Sequence, residues 1–246
     1  MKVLLIGDSC EDRYFYGDVK RLNPEAPVPI LEYKRGVTSK GMVWNVRENL
    51  RSFGVEVYTS THPEEIIKTR FIDEKSNQQI LRSDEEPEIT PISFEFPDEW
   101  KSTYDALVIS DYNKGFITQE KLFELSNWFQ GPVFIDTKKT CIPGNAFIKV
   151  NESEFKKITH FIPDNMIITK GGEGTEYQGK LYPAEKVNVF DVVGAGDTFL
   201  AALTYGYLKY GRMEEAIPLA NRAAAVAVSH RGTYVLTEED VKKILC

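Results

Sequence analysis

Five short runs of mostly apolar residues punctuate this chain, at 3–6, 106–110, 133–136, 147–150 and 166–169. Each is continuous rather than alternating, which marks a strand buried on both faces. Helix-patterned segments stand around them at 43–53, 119–129, 152–158, 198–210 and 214–229. Strands separated by helices pair in parallel through right-handed crossovers, so an α/β fold is expected, with a mostly parallel central sheet flanked by helices. Ligands gather at the carboxyl ends of such strands. Asp8, Asp111, Asp136, Asn151 and Lys170 all lie at or just after a predicted strand end.

Two stretches differ in texture. Residues 28–34, and 67–73 followed by 79–82, alternate apolar with polar side chains, as antiparallel strands solvated on one face do. They are expected to form a small antiparallel β lid, in segments around 13–35 and 66–83, on a single domain covering 1–246. Half-solvated strands leave edges that need cover, and a homodimer through the lid supplies it.

Bulk properties narrow the function. A net charge of −7 and a pI near 5.2, with no basic stripe, argue against nucleic acid as a partner. Nothing approaches the length of apolar chain needed to span a bilayer. The run at 3–6 is too short for a signal-peptide core and leads into Asp8, Glu11 and Asp12. Three widely spaced cysteines, Cys10, Cys141 and Cys246, suit a reducing compartment. A cytoplasmic location is expected. His62, His160 and His230 are isolated, without ligand spacing, and read as structural or surface residues.

The segment richest in chemistry is Asp191-Val192-Val193-Gly194-Ala195-Gly196-Asp197-Thr198-Phe199. Gly194, Ala195 and Gly196 form a small-residue turn that opens a helix, where unpaired N–H groups and the positive helix end suit phosphate oxygens. Asp197 follows in the first helical turn. An aspartate there can be an ordinary helix cap. A carboxylate beside bound phosphate repels it, however, so a purely phosphate-binding loop has reason to avoid one. An enzyme that deprotonates a hydroxyl for attack on the γ-phosphate of ATP needs it. Asn151 and Glu154 can cap a helix in the same bland way. Asp8 and Asp12 can be loop carboxylates, or a carboxylate pair that binds a polyol.

This nine-residue segment resembles the C-terminal signature of the ribokinase-like (PfkB) carbohydrate kinases. The resemblance implies a ribokinase-like fold and an ATP-dependent sugar kinase, with Asp197 as catalytic base and the amides of Gly194, Ala195 and Gly196 as anion hole. Asn151-Glu152-Ser153-Glu154 is similar to the family's Asn-x-x-Glu motif, which implies a nucleotide-side role for Asn151 and water-relayed Mg²⁺ binding by Glu154. Thr169, Lys170, Gly172 and Gly174 fall on the nucleotide-side strand and turn, and Asn221 on the helix beside the adenine. Gly7 to Val19, Asn23 to Pro29, and Ser110-Asp111-Tyr112-Asn113-Lys114-Gly115-Phe116 resemble the heptose-7-phosphate kinases within that family. That closer likeness implies phosphorylation of the anomeric hydroxyl of a heptose 7-phosphate. It places Asp8, Asp12, Gly41, Asn45, Arg70, Asp111 and Lys114 around the sugar, and offers Arg13, Lys20, Arg21 and Arg82 as further cations for a phosphorylated acceptor.

Two departures stand out. Gly41-Met42-Val43-Trp44-Asn45 replaces the family's Gly-Gly-small-small-Asn, adding bulk where space is kept for sugar, and residues are missing between Thr59 and Lys68. A kinase-derived binding or regulatory protein is the competing reading. Mere binding has no need of Asp197. A Rossmann dehydrogenase fails, because the first strand ends in Ile6-Gly7-Asp8-Ser9 without Gly-x-Gly-x-x-Gly.

Overall fold

The computed structural model describes residues 1–159 and 163–246; His160 lies outside the described residues. In chain order the first half contains β1 (Lys2–Gly7), β2 (Ser9–Leu22), β3 (Pro29–Met42), α1 (Val43–Ser52), β4 (Glu56–Ser60), β5 (Ile67–Asp73), β6 (Gln78–Glu85), α2 (Trp100–Thr103) and β7 (Ala106–Asp111). The second half contains α3 (Gln119–Trp128), β8 (Val133–Thr137), β9 (Phe147–Asn151), α4 (Glu152–Phe155), β10 (Met166–Thr169), β11 (Thr175–Tyr177), β12 (Lys180–Tyr182), α5 (Ala195–Tyr210), α6 (Met213–Val228) and α7 (Glu238–Leu245). These elements divide into two compact units. Met1–Asp8, Met42–His62 and Ile89–Cys246 make the larger; Ser9–Gly41 and Pro63–Glu88 make the smaller.

The larger unit is built on an eight-stranded sheet of order β12-β11-β10-β9-β8-β7-β1-β4. From β4 to β10 every pairing is parallel, and only β11 and β12 run antiparallel at one edge. Alternate residues explain the continuous apolar runs. Val3, Leu5, Ala106, Val108 and Phe134 face a core shared with α1, α5 and α6. Leu4, Ile6, Leu107, Ile109 and Ile135, at the intervening positions, are just as fully buried. All five predicted strands and all five predicted helices are present, with boundaries moved by a few residues. The C-terminal α7 had no expectation attached, although Thr237 and Asp240 form a reciprocal capping box readable as a Thr-x-x-acid signature.

The smaller unit is a four-stranded sheet of order β3-β2-β5-β6. β5 and β6 form an antiparallel pair with a register shift between Phe71 and Ile72. β2 pairs with β5 in parallel, from Glu11 opposite Ile67 to Gly17 opposite Asp73, so this sheet is mixed rather than wholly antiparallel. The physical reason is connectivity: β2 and β5 are not joined by a hairpin, so no tight turn forces opposite directions. Among the described residues no helix is long and apolar enough to cross a membrane.

Phe134 sits at the centre of the larger core, fully buried between Phe147 (ring centroids 5.5 Å) and Tyr207 (5.5 Å). Phe134→Ala is expected to lower unfolding free energy by about 3–5 kcal/mol, because the cavity left in a parallel sheet cannot collapse. Urea denaturation measures this directly, and a loss below about 1 kcal/mol would contradict the packing described.

Candidate active site

The small residues at the start of α5 are there for steric reasons. Gly194, the N-cap, adopts φ 78°, a left-handed conformation that glycine takes without a Cβ penalty. A Cβ on Gly196 would lie 2.8 Å from Lys149 Nζ, so the backbone of the first turn rests directly on a lysine ammonium. The Ala195 N–H is drawn back to the Val192 carbonyl (3.3 Å), while the N–H groups of Gly196 and Asp197 precede the first intrahelical bond, which Thr198 makes to the Gly194 carbonyl (3.0 Å). Of the three residues expected to form the anion hole, Ala195 is thus the one whose amide closes the turn instead.

Asp197 follows, 4% exposed. Its Oδ1 accepts the Tyr112 hydroxyl at 2.7 Å and its Oδ2 accepts Asn45 Nδ2 at 3.2 Å. Asn45 is itself fixed: Nδ2 also donates to the Gly194 carbonyl (3.2 Å), while Oδ1 accepts Asn49 Nδ2 (3.0 Å). Asn49 in turn accepts the Leu236 N–H (3.1 Å), so the amide chain is anchored well away from the carboxylate. Burial pushes the Asp197 carboxyl up to about 6, opposed by the hydrogen bonds from Tyr112 and Asn45 and by the Lys149 charge, and reinforced by the nearby Asp136.

Beneath α5 lies a network of charges. Lys149 Nζ pairs with Asp136 Oδ2 at 2.6 Å, both residues buried. Lys138 is ion-paired to Glu154, stands 3.8 Å from Asp136 Oδ1 and lies 5.5 Å from the centre of the Tyr112 ring. Burial alone would lower the Lys138 pKa, but Asp136, Glu154 and Asp197 together raise it. Asn151 and Glu154 form a reciprocal capping box at α4, each side chain binding the other's backbone N–H at 2.9 Å. Glu154 therefore carries a cap and a lysine at once, and Asn151 is a helix cap joined to the network through Glu154.

The carboxylates after β1 and β7 have distinct duties. Asp8 is fully buried; Oδ2 accepts the backbone N–H groups of Tyr112 (2.7 Å) and Lys114 (3.2 Å), while Oδ1 is buried without a hydrogen-bond partner among the described residues. Burial pushes its pKa up, against those two amides. Both oxygens of Asp111 are committed: Oδ1 to the Asn113 N–H (2.9 Å), Oδ2 to Thr137 Oγ1 (2.6 Å) and Lys139 Nζ (2.9 Å). Asp111, expected beside the sugar, is held by these three hydrogen bonds, which fix the turn that carries Tyr112, and Oδ1 keeps one acceptor position. Lys114 contributes its backbone N–H to Asp8.

Beside the start of α5 opens a cleft of ≈ 390 Å³ whose lining includes Gly172, Gly174, Ala195, Gly196, Phe199 and Ala224. Thr169 lines it too, with its hydroxyl donated to the Val150 carbonyl (3.3 Å). Lys170 does not: its ammonium pairs with Glu176 at 2.5 Å. Asn221 lies in the cleft wall but is spoken for, accepting Thr175 Oγ1 (2.7 Å) and donating to the Tyr182 carbonyl (2.9 Å), so it holds the β11–β12 edge in place. Val187, Val189 and Val192 border the cleft and are 39%, 62% and 69% exposed, apolar surface that a flat ring would cover.

In the smaller unit, Asp12 is buried and its Oδ1 accepts Arg70 Nη1 at 2.6 Å. A Cβ on Gly41 would run into the Asp12 carboxylate and into Cys10 Sγ, so glycine there is a condition for that carboxylate's position. Met42, at the start of α1, has φ 58° and ψ −125°, a geometry natural to glycine and rare for other residues. Trp44 packs partly buried against the large core, with Arg47 5.2 Å from its ring centre.

Sequence reasoning missed Tyr112, Lys138 and Lys149. Tyr112 stood inside a quoted motif, and Lys149 two residues before Asn151, but nothing local reveals that either side chain reaches α5.

The class is now defined by a parallel α/β sheet whose Gly-Ala-Gly turn presents a buried aspartate beside a cleft. Residues 122–240, just under half of the chain, match the family model described as pfkB family carbohydrate kinase. It is similar to the bifunctional protein HldE of a Nitratiruptor species, 30% identical over 297 positions that cover 98% of this chain and 64% of that protein. HldE of Pasteurella multocida is 29% identical, covering 99% of this chain and 63% of that protein. This chain thus spans less than two thirds of the length of these relatives. An alignment of 297 positions leaves at least 51 that 246 residues cannot fill, so this chain is shorter than the matched part of that relative. The ribokinase of Thermotoga maritima shares the ribokinase-like fold at TM-score 0.70 and 17% identity, covering 99% of this chain and 98% of that one. Arabidopsis thaliana ribokinase complexed with ribose and ATP matches at TM-score 0.70 and 16% identity, with the same coverage.

The raised Asp197 carboxyl sets a pH dependence of stability. Unfolded, it titrates near 3.8; folded, near 6. Between those values the folded state holds the extra proton, so Asp197 makes stability fall as pH rises through the window and adds no slope above it. Asp197→Asn abolishes that fall. The variant is expected to gain on the native protein between pH 4 and pH 7 by up to roughly 3 kcal/mol, read from urea midpoints at each pH. A difference independent of pH would contradict the burial of an ionisable group here.

Proposed function

We propose that this chain transfers the γ-phosphate of ATP to a hydroxyl of a phosphorylated sugar, with Asp197 as general base. The observation that carries this reading is the buried, hydrogen-bonded carboxylate of Asp197 in the first turn of a helix whose N-terminus borders an apolar-walled cleft. A carboxyl near 6 is ionised at neutral pH yet more basic than an exposed aspartate, which suits proton abstraction from an alcohol. In the step proposed, Asp197 takes the proton of the acceptor hydroxyl as its oxygen bonds to the γ-phosphorus. The bond from that phosphorus to the bridging oxygen breaks, and ADP leaves with the electron pair. The N–H groups of Gly196 and Asp197, with Lys149 behind them, stabilise negative charge on the transferring group.

The acceptor favoured is the anomeric hydroxyl of a heptose 7-phosphate, giving a 1,7-bisphosphate. Similarity to HldE over nearly the whole chain supports it. Asp8 Oδ1, buried and unpartnered among the described residues, suits one sugar hydroxyl. Asp12 and Arg70 are proposed as further sugar-side residues. Arg13, Lys20 and Arg82 are each paired with a carboxylate, in Arg13–Glu11, Lys20–Asp18 and Arg82–Asp84. Surface pairs of this kind contribute little to stability, so a phosphate can exchange into them.

Mg²⁺ is expected with ATP. Among the described residues no three His, Cys, Asp or Glu side chains gather as a metal cage. Both Glu154 oxygens have partners, which fits a cation held by phosphates and water with Glu154 outside its first layer of ligands. Such an ion, when bound, offsets charge on the phosphates.

An ATP-coupled screen of sugars and sugar phosphates tests the function, run with the native protein and Asp197→Asn. Heptose 7-phosphate is expected to give the highest kcat/KM, falling with ionic strength, and the variant about 10²–10⁴-fold less turnover with ATP binding retained. Preference for neutral sugars without salt dependence, or a loss below about threefold when chemistry limits the rate, would overturn the reading. Glu154→Gln is expected to shift the Mg²⁺ titration of activity to higher concentration. An unchanged curve would remove Glu154 from the metal's surroundings.

A further inference from the structure

Asp197 touches a group that no motif of the sequence assigned: the hydroxyl of Tyr112, 2.7 Å from Oδ1. Tyr112 stands in the turn after β7, and that turn is restrained to an unusual degree. Its backbone N–H is held by Asp8 Oδ2 at 2.7 Å. Asp111, buried on one side of it, binds Thr137 and the buried Lys139. Asn113, on the other side, has φ 57° and accepts the same Lys139 at 2.9 Å. Lys138 lies against the ring. Buried charges and a left-handed residue are costly to assemble, and here they converge on the placement of one phenol.

We propose that Tyr112 is a positioning residue that orients the Asp197 carboxylate and keeps it ionised inside the protein. This rests on the reading of Asp197 as the base. The phenol matters because Asp197 is deeply buried and its surroundings are divided. Asp136, on β8, opposes the charged carboxylate. Lys149 on β9, Lys138 after β8, Asn45 on α1 and Tyr112 favour it. Lys149 and Lys138 are largely neutralised by Asp136 and Glu154, so their support is shared with other carboxylates. The Tyr112 hydroxyl has a single proton to give, and it gives Asp197 Oδ1 a short, charge-assisted hydrogen bond. Through its backbone N–H on Asp8, Tyr112 also fixes the separation between the base and the carboxylate proposed to meet the sugar. One residue thereby ties both carboxylates to the end of β7.

The test is Tyr112→Phe, which keeps the ring and the N–H to Asp8 and removes only the hydroxyl. Carboxyl ¹³C NMR of aspartate-labelled protein, with Asp197→Asn identifying the resonance, reads the titration of Asp197 without requiring turnover. The native midpoint is expected at about 6. In Tyr112→Phe it is expected to rise by about one pH unit, the size of one hydrogen bond to a charged group. With whichever acceptor the native enzyme uses, the acidic limb of kcat/KM is expected to move by the same interval. At pH 6 the variant loses about fivefold, and at high pH most of the loss is recovered. A purely structural role would instead lower kcat/KM evenly at every pH and leave the midpoint in place, and that result overturns the proposal. Replacing Tyr112 by 3-fluorotyrosine supplies a second variant with the opposite sign: a more acidic phenol donates more strongly, so the midpoint is expected to fall. An unmoved midpoint there also overturns it. If no sugar or sugar phosphate is turned over, the kinase reading fails, while the NMR midpoints still decide the role of Tyr112.

Discussion

The arrangement around α5 depends on keeping one deeply buried carboxylate charged. Asp197 is placed at the positive end of a sixteen-residue helix, which favours an anion. That alone does not offset its desolvation, and the carboxyl remains well above the ordinary aspartate range. Two directed hydrogen bonds, from Tyr112 and Asn45, offset part of that desolvation and keep the carboxyl from rising further. Each donor comes from a different strand-to-helix junction, so the helix can hold its carboxylate only when the parallel sheet has already aligned α1 and the end of β7 with α5. Local sequence supplies the helix, and the sheet supplies its partners.

Neutralisation in pairs runs through the neighbourhood. Lys149 with Asp136, Lys139 with Asp111 and Lys138 with Glu154 each bring opposite charges together beneath or beside α5. A buried pair adds little net stability over a well-packed apolar pair, but breaking one strands an unpaired charge. Such pairs therefore act more as geometry than as stabilisation. They fix the floor under Gly196 and the turn bearing Tyr112, and they leave few oxygens uncommitted. Among the described residues Asp8 Oδ1 and Asp136 Oδ1 are buried without a hydrogen-bond partner, whereas each oxygen of Asp111 and Glu154 has one. The uncommitted atoms are where a ligand gains most by binding.

Met42 records a constraint of another kind. Its backbone keeps a glycine-like conformation although the residue is not glycine, a strain of order 1–3 kcal/mol. The carbonyl of Asp8 receives the Val43 N–H at 3.0 Å, so the backbone at the start of α1 is bound to the end of β1. Relaxing Met42 would shift Asn45 three residues on, and Asn45 is fixed at both ends of its amide. The strained residue persists because the contacts of α1 over-determine it.

Much was legible before any coordinates. Continuous apolar runs specified the parallel sheet, because only strands covered on both faces can be apolar at every position. The Gly-Ala-Gly-Asp segment specified the helix start and the acid upon it, since both follow from local backbone chemistry. The capping box of Asn151 and Glu154 was likewise within reach of its own four residues. What could not be read was every relation between distant segments: that Tyr112 meets Asp197 across 85 residues, that Lys149 underlies Gly196, that Asp111 binds Thr137 and Lys139, or that β2 runs parallel to β5. By itself the sequence determined which segments become strands and helices, and which carboxylate opens α5. The tertiary structure alone decided which donors reach that carboxylate and how far its pKa rises, because desolvation and hydrogen bonding are properties of the assembled neighbourhood and not of the residue.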